Sequence, residues 1–417
     1  MSTIQAEAVQ GLNQPSLQRR VNALRKLDNI TNWFYLLREY LILASIIGLT
    51  LCFLWQRESW GLAWAWNVPV VMIAIGLVGA GQHRLITLAH EASHYMLFRN
   101  RKLNELASDW FCMFPILSST HHYRLQHLAH HQYVNDPERD PDVRQMLDSG
   151  HRFQFPMTPA AFLWHCVLKQ ILWAPKLIRY ARARAQISSM GVGLGVGPYA
   201  IKRPPAAQVY RVGKIYLLAL VGTLLYLEHL GNLWLLALVP PAMLACIATF
   251  YLLLKDERYM DCAVKPDIPS RWLAVLRLTN ITIVFTTLAW LSYLTNHPWG
   301  LYYVMFWLVP LFTSFSFFML LRQIVQHGNA DQSRLLNTRI FLVSRLIQLA
   351  VFPLGMDYHL PHHLFPMVPH YRLGELHRLL MEVPDYRDHA VVVEGYFLHH
   401  HPAEGPTVLE LMSQPHS

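Results

Sequence analysis

Six long apolar segments constrain the fold of this 417-residue chain more than any other feature of its sequence. Most approach the roughly 20 residues that an α-helix needs to cross the hydrocarbon of a bilayer. With 53% hydrophobic and only 15% charged residues, the chain also differs from an average soluble domain. The segments are Trp33–Trp55, Gly61–Gly81, Gly213–Leu227, Leu233–Leu254, Ile281–Thr295 and Leu301–Leu321. The sequence therefore predicts an all-α integral membrane protein with about six membrane helices, within a range of roughly four to seven.

Very short loops join these segments in pairs, which predicts three antiparallel hairpins. Among the loops only Arg57 is basic, whereas the segments on the other side carry many Arg and Lys residues. Because positive charge stays on the cytoplasmic face, we expect both termini and the two long segments, Gln82–Val212 and His327–Ser417, to be cytoplasmic. The same bias explains a net charge of +9 without a nucleic-acid partner.

Three parts follow one another along the chain: a polar cytoplasmic leader (1–32), a membrane domain (33–380) and a cytoplasmic tail (381–417). Residues 156–180 predict an interfacial amphipathic helix, with a weak seventh span as the alternative. Residues 339–354 predict a re-entrant or interfacial helix, and the glycines of 190–197 predict a loop. The five cysteines form no CxxC pair, so we expect neither a disulfide framework nor a thiolate metal site.

Clustered histidines carry most of the functional information. Three clusters read HEASH, HLAHH and HLPHH, and a further histidine ends the sixth apolar segment. Residues i and i+4 share one face of a helix, and even numbers of crossings separate the clusters, so all can reach one cytoplasmic site. This many imidazoles exceeds the four positions of tetrahedral zinc and predicts a two-metal centre of iron, zinc or copper. The predicted ligands are His90, His94, His127, His130, His131, His327, His359, His362 and His363.

The remaining histidines are weaker candidates. Three of them precede or adjoin the clusters and rank below the nine: His83, His121 and His122. Five others are interpreted as ordinary surface side chains: His151, His229, His297, His389 and His416. The run that begins at His399 is interpreted as a feature of the tail, because too few residues follow it for a fused cytochrome domain.

In this order the three clusters resemble the histidine boxes of the membrane fatty-acid desaturase and hydroxylase superfamily. The likeness extends to Tyr123-Arg124, to residues 135–140 and to residues 364–366. It implies a non-haem di-iron centre, dioxygen as co-substrate, a lipid or acyl substrate, and electrons from a separate ferredoxin- or cytochrome-type protein with its reductase. The box spacing favours a desaturase, and a hydroxylase of a lipid, carotenoid or smaller amphiphile on the same centre is the alternative.

Several polar residues are predicted to support the metal ligands. Acyl-CoA desaturases, which the region around His327 resembles, place an Asn one turn earlier, where it holds a metal-bound water. Gln323 stands there in this chain and either does the same or packs. Asp357 is expected to orient His359, as carboxylates around metal sites do. The second cluster has three acidic neighbours that either serve likewise or form a solvated loop: Asp136, Glu138 and Asp140.

Two other classes of protein are weighed against this interpretation. His90-Glu91-Ala-Ser-His94 also fits the HExxH motif of zinc proteases, in which Glu91 would be the general base, but a protease leaves the other clusters unexplained. A transporter would place ionisable residues inside the apolar segments, which are nearly free of them.

We also expect a tunnel for an acyl chain, with walls from 61–81 and 301–321. Small residues such as Gly76, Gly79 and Gly81 would let a chain pass close to the backbone. Packing of one helix against another through these glycines is the alternative.

Overall fold

Helices dominate the computed structural model, which describes residues 11–190, 197–399 and 405–415. Six of its helices are long and apolar enough to cross a membrane. They are α1 (Thr31–Gln56), α2 (Trp64–Ser93), α3 (Ala207–Leu230), α4 (Leu233–Leu253), α5 (Ser270–Thr295) and α6 (Trp299–His327). Each overlaps one predicted segment, so the predicted all-α membrane protein is confirmed. Over the described ranges no seventh helix meets these criteria, and residues 156–180 are not a span.

The membrane helices pack in two groups. Helix α2 contacts both α1 and the final part of α6, whereas α3, α4 and α5 pack against one another. About 44% of the apolar window of α6 is buried, against 17% in each of α3, α4 and α5. Helix α6 is therefore the most enclosed span, and the other group leaves most of its apolar surface for lipid.

The segments outside the membrane helices form a cap of short elements. Its helices are Pro15–Leu24, Arg101–Ser108, Thr120–Gln132, Pro141–Ser149, Pro159–Phe162, Lys169–Leu172, Ala174–Met190, Arg345–Ala350, His359–Leu364, Leu373–Leu380, Pro384–His389 and Val408–Ser413. Single-turn 3₁₀ helices occur at the start of α2 (Trp64–Trp66) and, outside the membrane helices, at Phe114–Ile116, Gly197–Tyr199, Asp256–Arg258 and His370–Arg372. Wider π-helical turns occur in the cap at Asp109–Met113 and Leu163–Leu168, and within α6 at Val304–Leu308. Strand Ile201–Arg203 pairs antiparallel with Asp261–Cys262, and Ile340–Leu342 pairs parallel with Val392–Glu394.

Two cap predictions need correction. Residues 339–354 are not one helix, because Ile340 and Phe341 are fully buried in a strand and only Arg345–Ala350 is helical. β-Branched and aromatic residues such as these two favour a strand. The amphipathic helix expected over 156–180 is instead divided among several short helical elements. Of the predicted loop at 190–197, residues 191–196 lie outside the described ranges.

Glycines of α2 serve helix packing. A Cβ on Gly79 would lie 2.5 Å from the backbone nitrogen of Phe315 in α6, and one on Gly81 would lie 2.5 Å from Leu43 Cδ2 in α1. Around Gly76 nothing lies within 4 Å of that position. The packing alternative is thus confirmed for Gly79 and Gly81, and the expectation that they line a tunnel is wrong.

Changing Gly79 to Leu is therefore expected to destabilise the protein rather than to alter its product. Overpacking a close helix contact typically costs about 1–3 kcal/mol. Thermal unfolding in detergent measures the effect. Gly76→Leu is the matched control, because it adds the same side chain to the same helix in open space and should leave the midpoint nearly unchanged. Equal midpoints for both variants would contradict the packing role of Gly79.

Candidate metal centre

Five predicted ligands form the first set of converging imidazoles. Their ligand nitrogens all lie within 4.8 Å of one another: His90, His94, His127, His131 and His362. The Nε2 atom of His127 is 2.8 Å from that of His94 and 3.0 Å from that of His131. The set joins the end of α2, the Thr120–Gln132 helix and the His359–Leu364 helix, three segments that are distant in sequence.

The other four predicted ligands form a second set. The Nε2 atom of His327 is 3.2 Å from that of His130 and 3.0 Å from that of His359. His363 is linked to His359 by an Nε2 distance of 3.1 Å. The two sets adjoin where the rings of His131 and His363 stack, with centroids 4.1 Å apart. All nine histidines thus lie together in one composite cluster.

Their surroundings keep most of these imidazoles neutral. Burial lowers the pKa well below its ordinary value for the ring of His94, His127, His131, His359, His362 and His363. These rings are therefore unprotonated at neutral pH, and each keeps a lone pair on one nitrogen. Burial also lowers the pKa of His130, but the carboxylates of Asp140 and Asp142 outweigh it and raise the pKa to about 9.

A neutral imidazole has a single N–H, so it cannot satisfy two facing nitrogens by hydrogen bonds alone. His127 faces two such nitrogens in the first set, and His327 faces two in the second. His90 leaves both of its buried ring nitrogens without a partner. Converging lone pairs at these distances fit a cation between the rings, and imidazole suits iron, zinc and copper. The clusters can hold metal.

Of the acidic residues predicted to support the ligands, Asp140 contacts one. Both of its carboxylate oxygens lie 3.0 Å from Nδ1 of His130, which leaves Nε2 of that ring directed at the second set. Asp136 instead accepts hydrogen bonds from the backbone N–H groups of Glu138 and Arg139. Asp357 accepts a hydrogen bond from Gln348. Direct support of the histidines by Asp136 and Asp357 is therefore not found among the described contacts.

Gln323 has two side-chain partners. Its Oε1 accepts a hydrogen bond of 2.8 Å from the hydroxyl of Tyr180, and its Nε2 donates one of 3.2 Å to Gln145. The same side chain lines the cavity that also contacts His130 and His327. The contacts fit the packing interpretation, and the position leaves the amide beside the metal centre.

The lower-ranked histidines lie outside the two sets. His83 is buried with Nδ1 2.7 Å from the carbonyl of Ala350, and Nε2 of His121 lies 3.5 Å from the sulfur of Cys262. The interpretation of His151 as a surface residue is wrong. It is 1% exposed and bonds Ser149 and Gln170 through its two nitrogens. Of the other four, His229 and His389 are exposed and His297 is half-buried, whereas His416 lies outside the described residues.

Glu91 does not occupy the position of a protease base. Its Oε2 accepts a hydrogen bond of 2.8 Å from the backbone N–H of His370, and its Oε1 lies 3.4 Å from Nδ1 of His90. The carboxylate thus sits behind His90, on the ring nitrogen opposite the one available to the cluster. No hydrogen bond joins the two groups, so the carboxylate lies beside the ring of His90 without fixing its orientation.

Sequence reasoning assigned no role to several buried residues that surround the histidines, and it noted Tyr123 and Arg124 only as part of the family resemblance. Tyr123 stacks on His127 with ring planes 11° apart. Arg124 binds the end of α2, and Asp142, Arg184 and Arg322 line a small cavity beside the cluster. Nothing in the local sequence indicated that these residues would be brought together, because only the tertiary packing does so.

Comparison with known proteins gives one family and two curated relatives. The family model described as "Fatty acid desaturase" matches residues 64–258 and 255–394. The chain is 23% identical to the "Dihydrorhizobitoxine desaturase" of Bradyrhizobium elkanii over 403 residues, which covers 94% of this chain and 86% of that protein. It is 30% identical over 108 residues to the "Sphingolipid delta(4)-desaturase DES1" of Drosophila melanogaster, which covers 25% of this chain and 32% of that protein.

Proposed function

Because this chain belongs to the fatty acid desaturase family, we propose that it is a di-iron desaturase that uses dioxygen and electrons from a separate donor protein. The observation that carries the proposal is the convergence of nine histidines, from three clusters and α6, in two adjoining sets. Two sets of imidazoles, one of five and one of four, match the needs of two metal ions better than those of one. Both relatives are named as desaturases, which favours desaturation over hydroxylation.

The first iron would be held by the set that contains His94 and His362, and the second by the set that contains His130 and His327. Bound there, the irons would supply the oxidising power needed to remove hydrogen from an unactivated C–H bond. The chain itself provides the rest of the site. Asp140 fixes the ring of His130, the backbone carbonyl of Asn337 fixes that of His327, and Tyr123 covers the face of His127.

The proposal includes the orientation of the protein in the membrane. The described cap contains Arg and Lys side chains on its surface, such as Arg101, Arg152 and Arg345. The positive-inside tendency favours the cytoplasm for this side and for both termini. A basic surface would also steer an acidic electron donor of the ferredoxin or cytochrome type toward the cap.

The intramembrane protease is not supported. Its general base would have to reach a metal-bound water, whereas Glu91 is engaged by the backbone of His370. The family match further favours the desaturase.

Purified protein is expected to contain close to two irons per chain, because each of the two histidine sets offers at least four nitrogens for one ion. Elemental analysis by mass spectrometry, on protein produced with added iron, measures the ratio. A His362→Ala variant is the control for adventitious metal and should contain fewer ions. One zinc and no iron per chain would contradict the di-iron proposal.

A further inference from the structure

A buried guanidinium lies beside the histidine cluster without an acidic partner. Arg322, in α6, is 7% exposed, and its Nη1 atom has no hydrogen-bond partner. The contact found for its other terminal nitrogen is the sulfur of Met319, 3.5 Å away. No ion pair of Arg322 occurs among residues 11–190, 197–399 and 405–415. Since a charge buried without a partner is strongly unfavourable, this arrangement points to an anionic ligand.

Arg322 lines a small cavity that is also walled by histidines of both sets. These include His90 and His127 of the first set and His130, His327 and His359 of the second. Its aliphatic lining comes from Met319 and Met356 alone. Such a wall is poorly suited to a methylene chain, which a desaturase for long acyl groups must hold next to its metals.

The charges around this cavity favour an anion. Two guanidiniums, Arg184 and Arg322, and one carboxylate, Asp142, line it. Asp142 already accepts a hydrogen bond of 2.8 Å from Gln126. The Oε1 atom of Gln126 is buried without a partner. The residues that line this cavity therefore include an unpaired acceptor, Gln126 Oε1, and an unpaired donor, Arg322 Nη1, which a polar ligand could bind. Metal ions bound in the two histidine sets would add to the net positive charge around this cavity.

A larger cavity connects this site with the surface. It has a volume of about 530 Å³ and shares His130, Asp142, Gln323 and His327 with the small one. Its lining extends to Arg152 and Gln154, which are exposed. A volume of this size suits a small molecule. Both cavities lie on the cap side of the membrane helices, so a polar substrate can enter from water.

We propose that the substrate is a small polar molecule with a carboxylate, which Arg322 binds next to the metals. The inference rests on the proposed desaturase function and adds the substrate class. The carbon that loses hydrogen then lies only a few bonds from the carboxylate, with the remainder of the molecule in the larger cavity. A guanidinium matches a carboxylate with two parallel hydrogen bonds, which fixes the orientation of the substrate.

The first test identifies the product. Cells that produce the intact protein and cells that produce His362→Ala are extracted into aqueous and organic phases, and both phases are compared by mass spectrometry. In the first culture only, we expect an anionic aqueous compound whose mass shows the loss of two hydrogens from its precursor. A product confined to the organic phase would overturn the carboxylate proposal and leave the desaturase intact. No product in either phase from iron-loaded protein would instead contradict the desaturase.

The second test uses the substrate so identified and its neutral amide. The intact protein should prefer the acid over the amide by roughly 100-fold in kcat/KM, because loss of a charged partner in a buried pair has effects of this order. Arg322→Gln should lose that preference while retaining its iron, and Arg322→Lys should recover part of it. Arg345→Gln, at an exposed position on the cap, is the matched control and should behave like the intact protein. An unchanged acid preference in Arg322→Gln would overturn the assignment.

Discussion

Replacing His362 by alanine is expected to abolish desaturation and to remove the metal ion of the first set. His362 Nε2 lies 3.2 Å from that of His131, and the His362 ring also packs 4.5 Å from that of His90. Loss of a residue that merely orients a metal ligand commonly lowers metal affinity by about 10- to 100-fold. Loss of a ligand should exceed that range. Product formation and iron content, measured on the same preparation, report the two effects.

The control for this prediction is His389→Ala, which removes an exposed histidine from the same region of the chain. It should leave both measurements unchanged. His94→Ala and His130→Ala are expected to resemble His362→Ala, with loss of metal from the first and the second set respectively. Membrane insertion should persist in all of them, because these residues lie outside the spans. Full activity in the His362 variant would exclude that residue as a ligand.

The arrangement of the cluster follows partly from helical periodicity. His90 and His94, His127 and His131, and His359 and His363 are pairs spaced by four residues, and each pair stays within one set. In the second and third clusters, the remaining histidine belongs to the other set from the pair beside it. His130 joins the second set, and His362 joins the first.

The sequence could therefore predict that these nine histidines lie close together and that each pair spaced by four residues shares one face of a helix. It could not predict that His130 joins the second set and His362 the first, because that depends on how two short helices face each other. The membrane helices were predictable for a simpler reason. A continuous apolar segment is a local property, and the bilayer requires its backbone hydrogen bonds to be satisfied within the helix.

Predictions for single polar residues were less successful, because sequence proximity does not show where a carboxylate points. Asp136 precedes two backbone N–H groups in a tight turn and binds those instead of a histidine. Asp140, four residues later, caps the Pro141–Ser149 helix and also reaches His130. Arg322 gave no signal at all, since a single Arg near the end of an apolar segment usually extends to the membrane surface.

Arg124 shows most clearly how tertiary contacts hold the site together. It is fully buried and forms two hydrogen bonds with the carboxylate of Glu105, of 2.7 and 3.1 Å. Its remaining donors bind the carbonyls of Ala92 and Ser93, at the end of α2 directly before His94. One side chain thus connects the helix of the second histidine cluster with the end of the first. The positive charge also suits the carboxyl end of a helix.

We therefore expect Arg124→Met to lower the free energy of unfolding by about 3–5 kcal/mol, because it leaves the buried carboxylate of Glu105 without its partner. Iron should be lost from the first set, since the end of α2 no longer has a fixed position. Denaturant unfolding in detergent, together with iron analysis, measures both effects. The matched control is Arg139→Met, which breaks an Arg–Asp pair whose Arg side chain is 51% exposed and should cost no more than about 1 kcal/mol. Adding Glu105→Gln to Arg124→Met should restore part of the lost stability, because the double variant no longer buries an unpaired charge. Equal losses for Arg124→Met and Arg139→Met, with iron retained in both, would show that Arg124 does not connect the two clusters.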